Sequence, residues 1–196
     1  MSDVFRYRLE RDHLSGLAKD LGPAFAAAEP FPHVVIPNFL PPNVAAALAA
    51  EFPGPTDIPW SMAGPGEGPQ TRDPNIEKLQ CDEEAFFPPL IRHVMHELNS
   101  SAFLDFLMAL TGYAELLSDP WFGGCGSHST GRGGRLMIHA DQDRHPNAKL
   151  HQILNAIYYV TPGWREEWGG ALELWSRDAS DCVKQVVPTF NSLVMT

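Results

Sequence analysis

Residues Gly133–Trp175 read GGRLMIHADQDRHPNAKLHQILNAIYYVTPGWREEWGGALELW, and this stretch decides the fold. Its apolar alternation predicts three strands with their connections. In the first, Leu136–Asp141, side chains point to alternate faces, which puts Met137, His139 and Asp141 on one side and Leu136, Ile138 and Ala140 on the other. Residues two apart on a strand are about 6 to 7 Å apart, close enough for an imidazole and a carboxylate to converge on one metal ion. The same His-x-Asp pair also suits an ordinary hydrogen-bonded couple near a strand end, so spacing alone leaves both uses open.

The second strand, Gln152–Val160, alternates Ile153, Asn155, Ile157 and Tyr159 against Leu154, Ala156, Tyr158 and Val160. Both faces are mainly apolar or aromatic, which predicts a position inside a sandwich or barrel. Thr161-Pro162-Gly163 opens the next connection, and Gly169-Gly170 lead into the third strand, Ala171–Trp175. Apolar runs follow at Cys182–Val187 and from Ser192. Short strands divided by Gly- and Pro-containing turns predict an antiparallel, double-layered, mainly β fold. The given sequence stops at Thr196 inside the last run, so that strand is expected to be short, with a poorly protected edge.

Working outward, the N-terminal part reads as a helical layer with one early strand. Leu14, Leu17, Ala18 and Leu21 recur at helical intervals, with Pro23 and Pro30 expected to interrupt or bound the helix. Pro32–Ile36 is a β-branched run, and Pro42 opens an alanine-rich helix that ends at Pro53-Gly54. Pro53–Pro74 is Pro- and Gly-rich and reads as a long surface loop in which Trp60 and Met62 pack on the core or cover a ligand. Phe86–Leu98 and Ala102–Leu110 read as two helices, the second with a core stripe of Phe103, Phe106, Leu107 and Leu110. His93, His96 and Glu97 are read as packing and surface hydrogen-bonding groups, and His128 as a turn residue that could also approach a pocket. Gly131-Arg132-Gly133-Gly134 precedes a strand instead of opening a helix, which excludes a phosphate-binding P-loop and a dinucleotide fingerprint.

The 196 residues suit one domain, 1–196, with a mostly helical layer over 1–115 and a β core over 116–196. A formal charge of −10 disfavours nucleic acid and anionic membrane surfaces as partners. Cys81, Cys125 and Cys182 are isolated and odd in number, which argues against a disulfide framework or a thiolate zinc site. The N-terminus carries charges without a long apolar run, so a reduced, cytoplasmic setting is the default expectation.

Taken together, PFPHVVIPNFLPP, LTGYAELLSDPWFGGCGSHSTGRGGRLMIHAD, LNAIYYVTPGWREEWGGALELW and VVPTFNSLVMT resemble the Fe(II)- and 2-oxoglutarate-dependent oxygenases, in particular their prolyl 4-hydroxylase-like branch. The resemblance covers most of the chain from Pro30 onward. It implies a double-stranded β-helix, or jelly roll, with N-terminal α-helices. Implied cofactors are Fe(II) and 2-oxoglutarate, with molecular oxygen as cosubstrate, for hydroxylation of an unactivated C–H bond with succinate and CO2 as coproducts. His139 and Asp141 match metal ligands; Tyr159 matches a strand residue that contacts 2-oxoglutarate, and Asn155 is a weaker match to the same cofactor-binding role. No catalytic residue beyond the metal ligands is implied. Trp168, Gly169 and Gly170 match the turn into a sheet strand.

The sequence departs from the family where the second iron histidine and the Arg or Lys that grips 2-oxoglutarate are expected, after Thr196. None of His145, His151, Arg144 or Arg177 stands in those places, so the jelly roll is expected to be incomplete at its C-terminal end and this form to turn over little. Two alternatives stay open: a catalytically inactive β-helix binding module, and a cupin-like metalloenzyme. The substrate expected by similarity is a prolyl residue of a protein or peptide, or a small molecule; a homo-oligomer is compatible with the sequence.

Overall fold

The structure, a computed structural model, describes residues 8–63, 78–123, 125–134, 136–141, 143–145 and 148–196. Four helices precede most of the strands: α1 (Arg11–Ala26), α2 (Pro42–Glu51), α3 (Pro89–Glu97) and α4 (Ser101–Thr111). Between and after them run β1 (Val34–Ile36), β2 (Ser61–Ala63), β3 (Lys78–Cys81), β4 (Ser127–Thr130), β5 (Ala156–Tyr159), β6 (Leu172–Trp175), β7 (Cys182–Val186) and β8 (Ser192–Met195). All strand pairs are antiparallel, in three small sheets of order β1-β8-β5, β2-β3-β4 and β6-β7.

Local chemistry explains the helices. Prolines at the first turn start α2 and α3, where their missing N–H has no intrahelical partner to lose. Ser100 caps α4 by accepting from the Phe103 N–H, and Gly112, at φ 78°, ends it in the left-handed conformation. Pro23 does not end α1, contrary to the sequence expectation. The apolar face formed by Leu14, Ala18, Leu21 and Phe25 continues across it, and burying that face offsets the one hydrogen bond proline forfeits.

The largest correction concerns the last strand. β8 is no edge: it is the centre of its sheet, with Val34–Ile36 of β1 on one side and Ala156–Tyr159 of β5 on the other. All four of its residues are buried. Leu193 and Met195 face the helical core with Phe103, Phe106 and Leu14, whereas Val194 faces Leu174 and Val186 of the β6–β7 hairpin. A strand that is apolar on both faces suits that place, with each fully buried Leu or Val contributing about 1.5–3 kcal/mol.

Asn191 secures the entry to β8. At φ 58° it turns the chain, its side-chain amide bridges the Leu40 N–H and carbonyl at 2.9 Å each, and its Oδ1 also accepts from the Tyr158 hydroxyl at 2.8 Å. Its backbone donates to the Tyr159 carbonyl and accepts from Phe39, so β1's exit, β5 and β8 meet at one buried amide.

Two further expectations are corrected. Leu136–Asp141 forms no strand: Leu136, Met137 and Ile138 are exposed, and the segment has no ladder partner among the described residues. Alternation supplies the two faces, but a strand also needs a neighbour to satisfy its backbone. Gln152–Val160 is a strand only over Ala156–Tyr159 and pairs with β8 alone among the described residues. Conversely, the β2-β3-β4 sheet was not foreseen. Ser127-His128-Ser129-Thr130 has no apolar alternation and is held extended by pairing with β3, where a side chain on Gly126 would meet the Cys81 carbonyl at 2.2 Å. Trp60 packs on Phe52 and donates to the Gly54 carbonyl. The remainder of the expected Pro/Gly loop, 64–74, lies outside the described residues, as does the Met62 side chain.

Candidate metal centre

His139 and Asp141 are brought together. His139 Nε2 stands 3.2 Å from Asp141 Oδ1, with both side chains about half exposed, at 48% and 50%. His139 Nδ1 donates to the Met137 carbonyl at 2.7 Å, which assigns the proton of a neutral ring to Nδ1 and leaves the Nε2 lone pair facing the carboxylate. Two acceptors turned toward one another at this separation have the arrangement of neighbouring ligands around a cation. One imidazole nitrogen and one carboxylate oxygen are a donor set suited to a divalent first-row metal such as Fe(II). Among the described residues no group of three or more His, Cys, Asp or Glu side chains converges as a metal site. The residues therefore fit such an ion as two of its ligands.

The chain returns to this pair through a short ribbon. The Arg144–His151 bridge and the bonds from His145 N to Leu150 O (3.0 Å) and Gln152 N to Asp143 O (2.9 Å) set 143–145 alongside 150–152. Asn155 thereby arrives beside Asp141 and donates from Nδ2 to Oδ2 at 2.9 Å. Asp141, Asp143, Leu154, Asn155 and Thr196 line a shallow depression at this point.

Tyr159 shares a β5 face with Asn155 and lies four residues further on, about 13 Å along an extended strand. Its ring packs with Leu172, Leu174, Val186 and Val194 in the gap between two sheets. Burial there pushes its phenol pKa up.

Lys78 was not foreseen near the site, and His128, expected first as a turn residue, stands there too. Their strands pair so that Lys78 opposes Thr130 and Gln80 opposes His128, which places all four on one sheet face. Partial burial lowers the Lys78 pKa while the attraction of Asp141 opposes the shift. The His128 pKa also moves down, first through partial burial and then through the Lys78 ammonium, although the ring keeps an open face. Nothing in a lone KLQC or SHST signals this, because it arises from pairing between distant segments.

The other histidines are engaged elsewhere. His145 pairs with Asp119 at 3.0 Å beside Trp121, His151 with Asp143 at 3.6 Å, and His96 with Glu84 at 2.8 Å. His93 joins the Arg8 and Leu9 N–H groups on the buried Glu97 carboxylate. Trp168 ends a 3-10 turn, with Trp164 against its edge and the Arg165 guanidinium over its ring at 4.7 Å. Gly169 and Gly170 follow it at φ 72° and 70°, which explains why glycines enter this turn into β6.

The family model described as 2OG-Fe(II) oxygenase superfamily matches residues 125–196. This segment belongs to the 2OG-Fe(II) oxygenase superfamily. The matched range contains His139, Asp141, Asn155 and Tyr159, and membership carries a general oxygenase function. No curated protein matches the chain. In this 2OG-Fe(II) oxygenase segment, no helix among the described residues is long and apolar enough to cross a membrane, and the same holds for the rest of the chain.

Proposed function

We propose that the protein is an Fe(II)- and 2-oxoglutarate-dependent dioxygenase that hydroxylates an unactivated C–H bond, within a double-stranded β-helix frame of the prolyl 4-hydroxylase-like type. The observation that carries this reading is the His139 Nε2 to Asp141 Oδ1 approach of 3.2 Å inside the oxygenase-family segment. Fe(II), with 2-oxoglutarate and molecular oxygen, supplies the oxidising power, and succinate and CO2 leave as coproducts.

The chain's own residues bind and orient. His139 and Asp141 hold the ion. Tyr159 and Asn155 carry the 2-oxoglutarate side, since Asn155 extends the β5 ladder by one pair and falls on the same face as Tyr159. The Tyr159 ring itself packs against Leu174, Val186 and Val194 in the gap between the two sheets. A prolyl residue of a peptide, or a small molecule, is the substrate class consistent with this reading. The free thiols of Cys81, Cys125 and Cys182 fit a reduced, cytoplasmic setting.

Slow succinate formation from 2-oxoglutarate by the Fe(II)-loaded protein, lost in both His139→Ala and Asp141→Ala, is the expected result. Absence of Fe(II) and of 2-oxoglutarate binding under anaerobic conditions would overturn it. A non-enzymatic β-rich binding module is the second reading, favoured by the packing of the Tyr159 ring into the inter-sheet gap. It requires that neither ligand bind.

A further inference from the structure

The two oxygens of Asp141 have different partners. Oδ1 stands 3.2 Å from His139 Nε2, while Oδ2 accepts from Asn155 Nδ2 at 2.9 Å. A carboxylate rotates easily about its last torsion, and left alone it offers a divalent ion either oxygen or both. The Asn155 amide occupies one lone pair of Oδ2 and so turns the carboxylate to present Oδ1.

Asn155 is well placed to do this, because its backbone N–H and carbonyl exchange hydrogen bonds with Thr196 at 2.9 and 3.0 Å, extending the β5–β8 ladder by one pair. Asp141, by contrast, closes an exposed segment, 136–141, with no ladder partner among the described residues. The amide therefore ties the ligand-bearing segment to the sheet, beyond the Arg144–His151 bridge.

We propose that Asn155 is a positioning residue, which through Asp141 Oδ2 holds Oδ1 toward His139 Nε2 and so sets up the ion-binding pair. The proposal rests on the reading of His139 and Asp141 as metal ligands. It gives Asn155 a task separate from contact with 2-oxoglutarate: one Nδ2 hydrogen serves Asp141, and the other hydrogen and Oδ1 stay available. Outer partners of metal ligands orient them, and their loss typically weakens metal binding by about 10- to 100-fold.

The test is a titration of the metal-free 196-residue protein with Mn(II), in which the free ion is followed by electron paramagnetic resonance. Wild type, His139→Ala, Asn155→Ala and Asn155→Leu are compared. The expected result is binding by wild type, none by His139→Ala, and affinity lower by about tenfold or more in both Asn155 variants. The metal-free melting temperature should be unchanged, since the Asn155 to Asp141 bond is exposed and the ladder bonds at Asn155 are main-chain. The visible spectrum of bound Co(II) should also change in the Asn155 variants, which a purely structural role would not produce. Equal Mn(II) affinity in wild type and both Asn155 variants, with His139→Ala inactive in binding, overturns the positioning role and leaves the metal reading standing. No binding by wild type overturns both.

Discussion

Asn191 Oδ1 accepts the Tyr158 hydroxyl at 2.8 Å while the same amide bridges both backbone groups of Leu40. This one contact joins three segments far apart in sequence, and it holds the central strand on which the candidate site's β5 depends. Replacing Asn191 by Ala strands the Leu40 N–H, the Leu40 carbonyl and the Tyr158 hydroxyl in a buried setting. The expected loss is about 3 kcal/mol or more, read as a lower urea midpoint. Tyr158→Phe should cost only about 1 kcal/mol, because Asn191 Oδ1 keeps the Leu40 donor. Equal effects of the two substitutions would contradict this account.

Metal binding to His139 and Asp141 should register as stability. A ligand that binds only the folded state adds RT ln(1 + [L]/Kd), about 2.7 kcal/mol at a hundredfold excess over Kd. Mn(II) or anaerobic Fe(II) should therefore raise the melting temperature of wild type in a concentration-dependent manner and leave Asp141→Ala unmoved. Chelator should reverse the shift.

Glu97 is 2% exposed, and its carboxylate accepts from the Arg8 and Leu9 N–H groups and from His93. Glu97→Leu removes the acceptor and leaves the two main-chain donors without it. The N-terminal segment ahead of α1 should then open first, giving faster amide exchange and protease cleavage near Arg8. A loss of about 2 to 4 kcal/mol is expected, in line with hydrogen bonds to a charged acceptor. Unchanged exchange at Leu9 would refute the assignment.

Cys125 should be the thiol that resists alkylation by chemistry as well as by access. Burial, and then the Asp119 and Asp82 carboxylates, push its pKa up to about 12. At pH 8, iodoacetamide should label the exposed Cys182 first and leave Cys125 and the buried Cys81 unreacted until the protein unfolds. The folded state holds the Cys125 proton more tightly than the unfolded chain. Its contribution to stability is therefore complete below the unfolded pKa of about 9 and fades as pH rises toward 12. Tyr158 and Tyr159, both raised by burial, act in the same direction. Denaturant midpoints should accordingly fall through the alkaline range.

The four helices, β1, and the strands at the ends of the chain were legible from residues alone because their signals are local. Prolines mark the starts of α2 and α3, Phe103, Phe106, Leu107 and Leu110 repeat at helical spacing in α4, a β-branched run marks β1 and an apolar run marks β8. The candidate ligands were legible for the same reason, since His139 and Asp141 are two residues apart.

What the tertiary structure decided is non-local. The sheet order places β8 at a centre where the sequence suggested an edge, and β4 is a strand because it pairs with the distant β3. The apolar Leu136-Met137-Ile138 run has strand propensity, but it lies exposed and forms no strand. Asn155 shows the division most clearly. Its alternation with Ile157 and Tyr159 was readable, but its grip on Asp141 Oδ2 depends on the Arg144–His151 bridge and on the Thr196 pairing that holds its backbone. Backbone hydrogen bonds between distant segments carry no local periodicity, so sequence specifies which residues can pair and folding determines which of them do.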